Sequence, residues 1–105
     1  MQAAVSAGFV KDTVINYAVA LVSATRNHPQ IQRGASPRAT LAVVAMARAA
    51  AYLNERDYVI PEDIQTVFAG TVAHRLLLTP DAQAQGIREE QLLTDLLSQI
   101  PAPGV

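Results

Sequence analysis

The stretch Gly34-Ala35-Ser36-Pro37-Arg38-Ala39, together with the helix it launches, decides how this chain is read. Ser36 is a strong N-cap residue, because its hydroxyl can accept from an orphan N–H one turn on. Pro37 would then occupy the first helical position, where its missing N–H costs nothing, and Gly34 gives the entering chain freedom to turn. From Arg38 to Leu53 the run is Arg-Ala-Thr-Leu-Ala-Val-Val-Ala-Met-Ala-Arg-Ala-Ala-Ala-Tyr-Leu, in which only Arg38, Thr40 and Arg48 are clearly polar. A helix apolar nearly all round is a buried helix, so this one is expected to be central and the most buried. Its alanines, Ala45 and Ala49 among them, should let neighbouring helices approach closely. Arg38 stands out as a permanent cation at the end of a helix where the dipole is already positive. Such a placement suits an arriving anion.

Working outward, the bulk properties fit one domain of 105 residues, half of them apolar, neither disordered nor membrane-spanning. A net charge of −1 disfavours a nucleic-acid footprint, which is ordinarily a basic patch. No cysteine is present, so neither a disulfide framework nor a thiolate metal site is available. The N-terminus lacks a basic region followed by an apolar stretch, and a cytoplasmic protein is the default expectation. Residues 1–9 read as a linker or remnant and residues 10–105 as the domain.

Before the central helix, Val10, Val14, Tyr17, Ala18, Leu21, Val22 and Thr25 repeat at helical spacing, predicting a helix from about Asp12 to Arg26. His28-Pro29 stops it, and Gln30 to Ala35 reads as a connecting loop. After the central helix, Asn54 is a candidate left-handed cap. Arg56 to Ile60 reads as extended, and Pro61-Glu62-Asp63 as the first turn of a third helix, with carboxylates at its positive end. Ile60, Ile64, Val67, Phe68 and Val72 form that helix's stripe, and Gly70 is a candidate break or bend that would leave Thr71 to Arg75 as an extra turn. Leu76 to Leu78 is too short to assign, Thr79-Pro80-Asp81 marks a turn, and Ala82 to Gly86 reads as a surface loop or one loose helical turn. Glu89 to Ile100 predicts a last helix with Leu92, Leu93, Leu96, Leu97 and Ile100 on one face. The sum is an all-α fold, a small four-helix bundle.

Catalytic chemistry is thin. No spacing of Ser, His and Asp suggests a triad. His28 and His74 read as a loop and a helix-end histidine rather than a metal pair, so no metal site is expected. No phosphate loop of the form GxxxxGK[ST] occurs. Four arginines remain. Arg48 reads as snorkelling from its helix, Arg56 as a loop cap or the partner of a nearby carboxylate, and Arg75 as a cation suited to a helix end. For Arg38 a solvated helix start and an anion-binding role are about evenly matched on composition alone.

The ordered set of Tyr17, Thr25-Arg26, Gly34 to Ala39, the Ala-rich helix, Arg56-Asp57-Tyr58-Val59, Pro61-Glu62-Asp63, His74-Arg75-Leu76, Gly86 and a Leu-rich helix closing on Pro101 resembles the C-terminal helical lid domain of MoxR-type AAA+ ATPases. The likeness runs from about Val10 to Pro103. It implies that Arg38 is the sensor-2 arginine, a catalytic residue of the full-length enzyme. It also implies that Arg38, Ser36 and Pro37 lie near the phosphates of ATP, with ATP and Mg²⁺ as cofactors of the full-length protein. The implied function is a lid closing over ATP on a large domain, coupling nucleotide state to chaperone-like remodelling of partner proteins.

Implied partners are the N-terminal AAA+ large domain of the same protein, neighbouring subunits of a hexameric ring, and von Willebrand factor A domain proteins. Neither nucleic acid nor a membrane span is among them. The isolated chain is not expected to be an enzyme, since hydrolysis needs a Walker A/B domain it lacks. An apolar patch where the large domain docks is expected around the loop before Ser36 and the first helix. The alternative is a free-standing helical interaction module with no nucleotide role. The sequence departs from the family pattern at Lys11, Ile60 and Arg88, where helix starts often carry Thr or Ser. It departs again at Glu55, where a glycine commonly precedes the Arg-Asp-Tyr-Val stretch.

Overall fold

A computed structural model describes residues 10–103; the expected linker at residues 1–9 lies outside them. The chain order is α1 (Asp12–Ala24), a 3-10 turn (Thr25–Asn27), β1 (Ile31–Arg33) and α2 (Ala39–Leu53). It continues with α3 (Pro61–Val72), a second 3-10 turn (Ala73–Arg75), β2 (Leu77–Leu78), α4 (Pro80–Ala84) and α5 (Glu89–Gln99). Four longer helices and one short one form the body, as the all-α reading expects. Val14, Tyr17, Ala18, Leu21 and Val22 of α1 meet Ile64, Phe68 and Val72 of α3 and Leu92, Leu93 and Leu96 of α5 in one apolar core. These stripes match the helical period read from the sequence.

The ends of the helices follow from particular residues. At α3, Pro61 opens the first turn, and the Asp63 carboxylate accepts from the Ile60 N–H at 2.9 Å, supplying a cap that Ile60 itself cannot. Gly70 does not break α3, which continues to Val72 before the 3-10 turn at Ala73–Arg75. Thr79 caps α4, its hydroxyl accepting from the Ala82 N–H at 3.2 Å. The expected loose turn from Ala82 to Gly86 is therefore the end of a short helix. It closes with Gly86 at φ +77° and the Ile87 N–H on the Ala82 carbonyl at 3.1 Å.

Helix α2 ends the same way with different residues. The left-handed position is Glu55 at φ 61°, not Asn54, which stays at φ −95°. Glu55 N–H bonds the Tyr52 carbonyl and Arg56 N–H bonds the Ala51 carbonyl, each at 2.9 Å.

Two expectations about α2 need correction. It is not the most buried helix: only Ala39, Val43, Ala47 and Ala51, a single stripe at a spacing of four, face the core. α3, with Pro61, Asp63, Ile64, Phe68, Thr71 and Val72 buried, is better covered. Ala45 and Ala49 are exposed, as are Leu41 (69%), Met46 (51%) and Leu53 (81%). An apolar circumference signals burial only if something covers every side, and α2 has neighbours on one. Among the described residues, the exposed large apolar side chains consequently lie mainly along α2, with Val19 on the first helix and none in the loop before Ser36. Beside Met46, a shallow groove between α2 and α3 is lined by Ala42, Val67, Gly70 and Thr71.

The segment expected to be a plain loop, Gln30 to Ala35, contains β1. It pairs antiparallel with β2, Ile31 opposite Leu78 and Arg33 opposite Leu77, with an irregularity between. The Thr79 N–H extends the pairing to the Gln30 carbonyl at 3.0 Å. This small ladder ties the approach to α2 to the segment after α3.

Candidate functional site

The approach to α2 carries the residues singled out from the sequence. Ser36, Pro37 and Arg38 are all exposed. Helix α2 begins regularly at Ala39, and the preceding turn is tight. Ala39 N–H bonds the Ser36 carbonyl (2.9 Å), Thr40 N–H bonds Pro37 (3.0 Å) and Leu41 N–H bonds Arg38 (3.0 Å). These i→i−3 bonds are the 3-10 closure common at helix starts. They correct the capping expectation: the Ser36 carbonyl, not its hydroxyl, satisfies the first donor. They also engage the amides that an anion at a helix N-terminus would otherwise use. What this turn offers to a ligand is the Arg38 side chain, which makes no hydrogen bond or ion pair among the described residues.

What fixes this turn lies ten residues upstream. The Thr25 side chain is fully buried, and its hydroxyl donates to the Val22 carbonyl at 2.6 Å while accepting from the Ala35 N–H at 3.0 Å. Arg26 Nη1 donates to the Ala35 carbonyl at 3.1 Å, and its Nη2 donates to the Ser23 hydroxyl at 3.2 Å. Both polar backbone groups of Ala35, itself 1% exposed, are thus held by the end of α1. Gly34 sits against the same place. A Cβ there would collide with the Thr25 carbonyl and the Arg26 nitrogen, so glycine is required for close approach rather than for an unusual turn. Sequence reading noticed Thr25, Arg26 and Gly34 but missed this joint role, because a bond between a side chain and a distant backbone leaves no period.

The other arginines are placed differently. Arg56 is bidentate on Asp63, Nη1 to Oδ2 at 2.7 Å and Nη2 to Oδ1 at 2.8 Å, and lies over the Tyr58 ring at 5.8 Å. Burial works to raise the Asp63 carboxyl. The hydrogen bonds from Arg56 and the Ile60 N–H, with the guanidinium charge, outweigh it and hold the group below the ordinary carboxylate value. Arg56 is correspondingly pushed up, chiefly by its hydrogen bonds to Asp63. The carboxylate-partner reading of Arg56 is therefore the observed one. Arg75 Nη1 donates to the Thr71 carbonyl at 3.0 Å, as suits a helix end, and Arg48 is exposed. His28 accepts from the Gln30 N–H at 3.0 Å through Nδ1 and shapes the turn after α1, while His74 is exposed. Among the described residues, no group of three His, Cys, Asp or Glu could hold a metal ion. No described helix is long and apolar enough to cross a membrane.

Comparison with known proteins bears on what this arrangement belongs to. The chain is 41% identical to the uncharacterized protein YeaC of Bacillus subtilis, over 88% of this chain and 29% of that protein. It is 39% identical to the chaperone MoxR1 of Mycobacterium tuberculosis, over 92% of this chain and 28% of that one. A crystal structure from Cytophaga hutchinsonii, assigned as an ATPase, superposes with a TM-score of 0.89 at 31% identity, covering 96% of this chain and 33% of its own. The chain thus spans about a third or less of the relatives it matches. The family model of the AAA lid domain matches residues 23–96, from the serine that Arg26 engages to the last buried leucine of α5. The chain belongs to the AAA lid domain family, and its likeness is to the C-terminal lid of MoxR-type AAA+ ATPases.

Proposed function

We propose that this lid works in an ATP-hydrolysing AAA+ protein, closing over ATP held by a large domain, with Arg38 as its sensor-2 arginine. The observation that carries the reading is a guanidinium left exposed and without a partner on a turn whose backbone is fastened to α1. A planar, permanently charged group matches phosphate oxygens. At the positive end of α2 it is mildly misplaced for helix stability, a cost that an arriving polyanion reverses. Ser36 and Pro37, both exposed, would line the same approach.

When bound by the full-length protein, ATP with Mg²⁺ would supply the phosphoryl group that is transferred to water. Arg38 would neutralise charge that shifts during phosphoryl transfer, and its engagement would couple nucleotide state to the position of the lid. The lid carries no carboxylate set for Mg²⁺ among its described residues, so the metal would be held by ATP and the large domain. Chaperone-like remodelling of partner proteins, a hexameric ring and von Willebrand factor A domain partners complete the reading. A cytoplasmic setting goes with it.

One charge-assisted hydrogen bond contributes roughly 1.5–3 kcal/mol, whereas even millimolar binding needs about 4 kcal/mol. The isolated lid should therefore show no ATP binding tighter than millimolar by calorimetry, and no hydrolysis. In the full-length protein, Arg38→Ala should lower turnover roughly 100-fold and leave the melting temperature in place. Arg38→Lys should recover only part of the loss, because an ammonium lacks the planar fork. Wild-type turnover in Arg38→Ala would remove the residue from the reaction.

A further inference from the structure

We infer that Thr25 and Arg26, at the end of α1, are positioning residues for Arg38, setting its guanidinium through their joint grip on the two peptides that flank Ala35. The inference rests on the reading of Arg38 given above and adds the device that aims it. Three features of the geometry carry it. First, the grip takes both sides of Ala35: the Thr25 hydroxyl holds the N–H of the Gly34–Ala35 peptide and Arg26 holds the carbonyl of the Ala35–Ser36 peptide, so neither peptide plane can turn without breaking a bond. Second, the grip is itself held. Thr25 is β-branched, with few side-chain rotamers, and its hydroxyl is tied to the Val22 carbonyl, while Arg26 is braced on Ser23.

Third, the path from Ala35 to Arg38 is short and stiff. Only Ser36 and Pro37 intervene, the proline ring fixes one of the torsions, and the Ser36 carbonyl is already bonded to the Ala39 N–H. Behind Ala35, Gly34 is pressed against the Thr25–Arg26 peptide and β1 is paired with β2. Purely structural demands would be met by hydrogen-bonding the buried Ala35 groups in any manner. Here both are delegated to adjacent residues of one helix end, which makes that end the reference frame for Arg38. A side chain that must meet phosphate oxygens loses effect when displaced by about an ångström.

The test is a double-mutant cycle in the full-length ATPase, read by turnover and by equilibrium titration with a fluorescent ATP analogue. Arg26→Ala alters an exposed side chain and Thr25→Val removes the buried hydroxyl at constant shape. Each should lower turnover at least threefold in the wild-type background and less than 1.5-fold in the Arg38→Ala background, with Thr25→Ser restoring most of the loss. ATP affinity should show the same non-additivity, which keeps the cycle readable if Arg38→Ala leaves little turnover. Equal fold-losses in both backgrounds, or wild-type turnover and affinity in both Arg26→Ala and Thr25→Val, would overturn the positioning role while leaving the reading of Arg38 intact. Wild-type turnover in Arg38→Ala would instead overturn that reading, and this inference with it.

Discussion

The two ends of helix α2 carry the same side chain in opposite circumstances. Beyond its C-terminal end, Arg56 is bonded through both terminal nitrogens to a buried carboxylate and lies over the Tyr58 ring. At its N-terminal end, Arg38 is exposed and meets no partner among the described residues. Local helix electrostatics would prefer the reverse, since the C-terminal end welcomes a cation and the N-terminal end does not. The difference teaches where to look for function. Arg56 is consumed by the fold, whereas Arg38 is held by its backbone and left with its charge unused. Under the proposed reading, that fastened main chain and free side chain suit Arg38 to meet an anion outside the domain.

The comparison is broken most directly by exchanging the effects of the two arginines. Under the proposed reading, Arg38→Ala costs turnover and spares stability. Arg56→Ala should do the opposite in kind. It strands the Asp63 carboxylate, whose side chain is only 5% exposed, with the Ile60 N–H as its remaining partner. Removing one member of such a pair costs about 3 kcal/mol, visible as a lower denaturant midpoint at unchanged slope. An Arg56→Ala protein as stable as the wild type would show that the pair contributes nothing net. An Arg38→Ala protein destabilised to the same degree would erase the distinction between the ends.

The sides of α2 offer a second contrast. Ala47 is fully buried on the core stripe and Ala45 is exposed, so the same substitution should give different results. Ala47→Leu should destabilise by about 1–3 kcal/mol through overpacking, while Ala45→Leu should stay within about 0.5 kcal/mol. Thermal melts of the two variants decide it. Equal losses would mean that the exposed side of α2 is covered, for example by a second copy.

Helix extents were legible in the sequence because a helical stripe is local. Val14 to Val22, Ile64 to Val72 and Leu92 to Leu96 announce themselves within one window. The central position of α2 was misread because alanine is compatible with both a crowded interface and an open surface, and periodicity cannot distinguish them. The β1–β2 ladder was invisible: three residues pair with two from more than forty positions away, and neither run is long enough to show alternation. The candidate site was half legible. Arg38 was identifiable as a misplaced cation, but the grip on Ala35 was not, because it depends on how α1 ends in space.

Acid sharpens the Arg56–Asp63 side of the comparison. The folded-state Asp63 carboxyl lies below its ordinary value, so the folded protein releases this proton more readily than the unfolded chain does. The resulting stability is fully present above the ordinary Asp range near pH 4. It declines as pH falls below that range and is lost once the folded-state carboxyl is protonated. Arg56 stays charged throughout. Unfolding free energy followed downward from pH 6 should drop more steeply in the wild type than in Asp63→Asn, and parallel profiles would detach the pair from acid stability.

The smallest expected effect separates the two left-handed helix ends. Gly86 holds φ +77° after α4 without steric cost, whereas Glu55 holds φ 61° after α2 with a side chain attached. An L-residue in this region costs about 1–2 kcal/mol, while glycine loses about 0.5–1 kcal/mol more than other residues through the freedom it surrenders on folding. The balance gives Glu55→Gly a gain of roughly 0.5 kcal/mol and Gly86→Ala a loss of similar size. Glu55→Ala is the necessary control. It removes the exposed carboxylate but keeps the Cβ, so it should not reproduce the gain if the backbone is responsible. Denaturant midpoints of the three variants, measured together, place the effect. A gain in Glu55→Ala equal to that in Glu55→Gly would assign it to the glutamate's charge near the C-terminal end of α2, where the helix dipole already disfavours an anion.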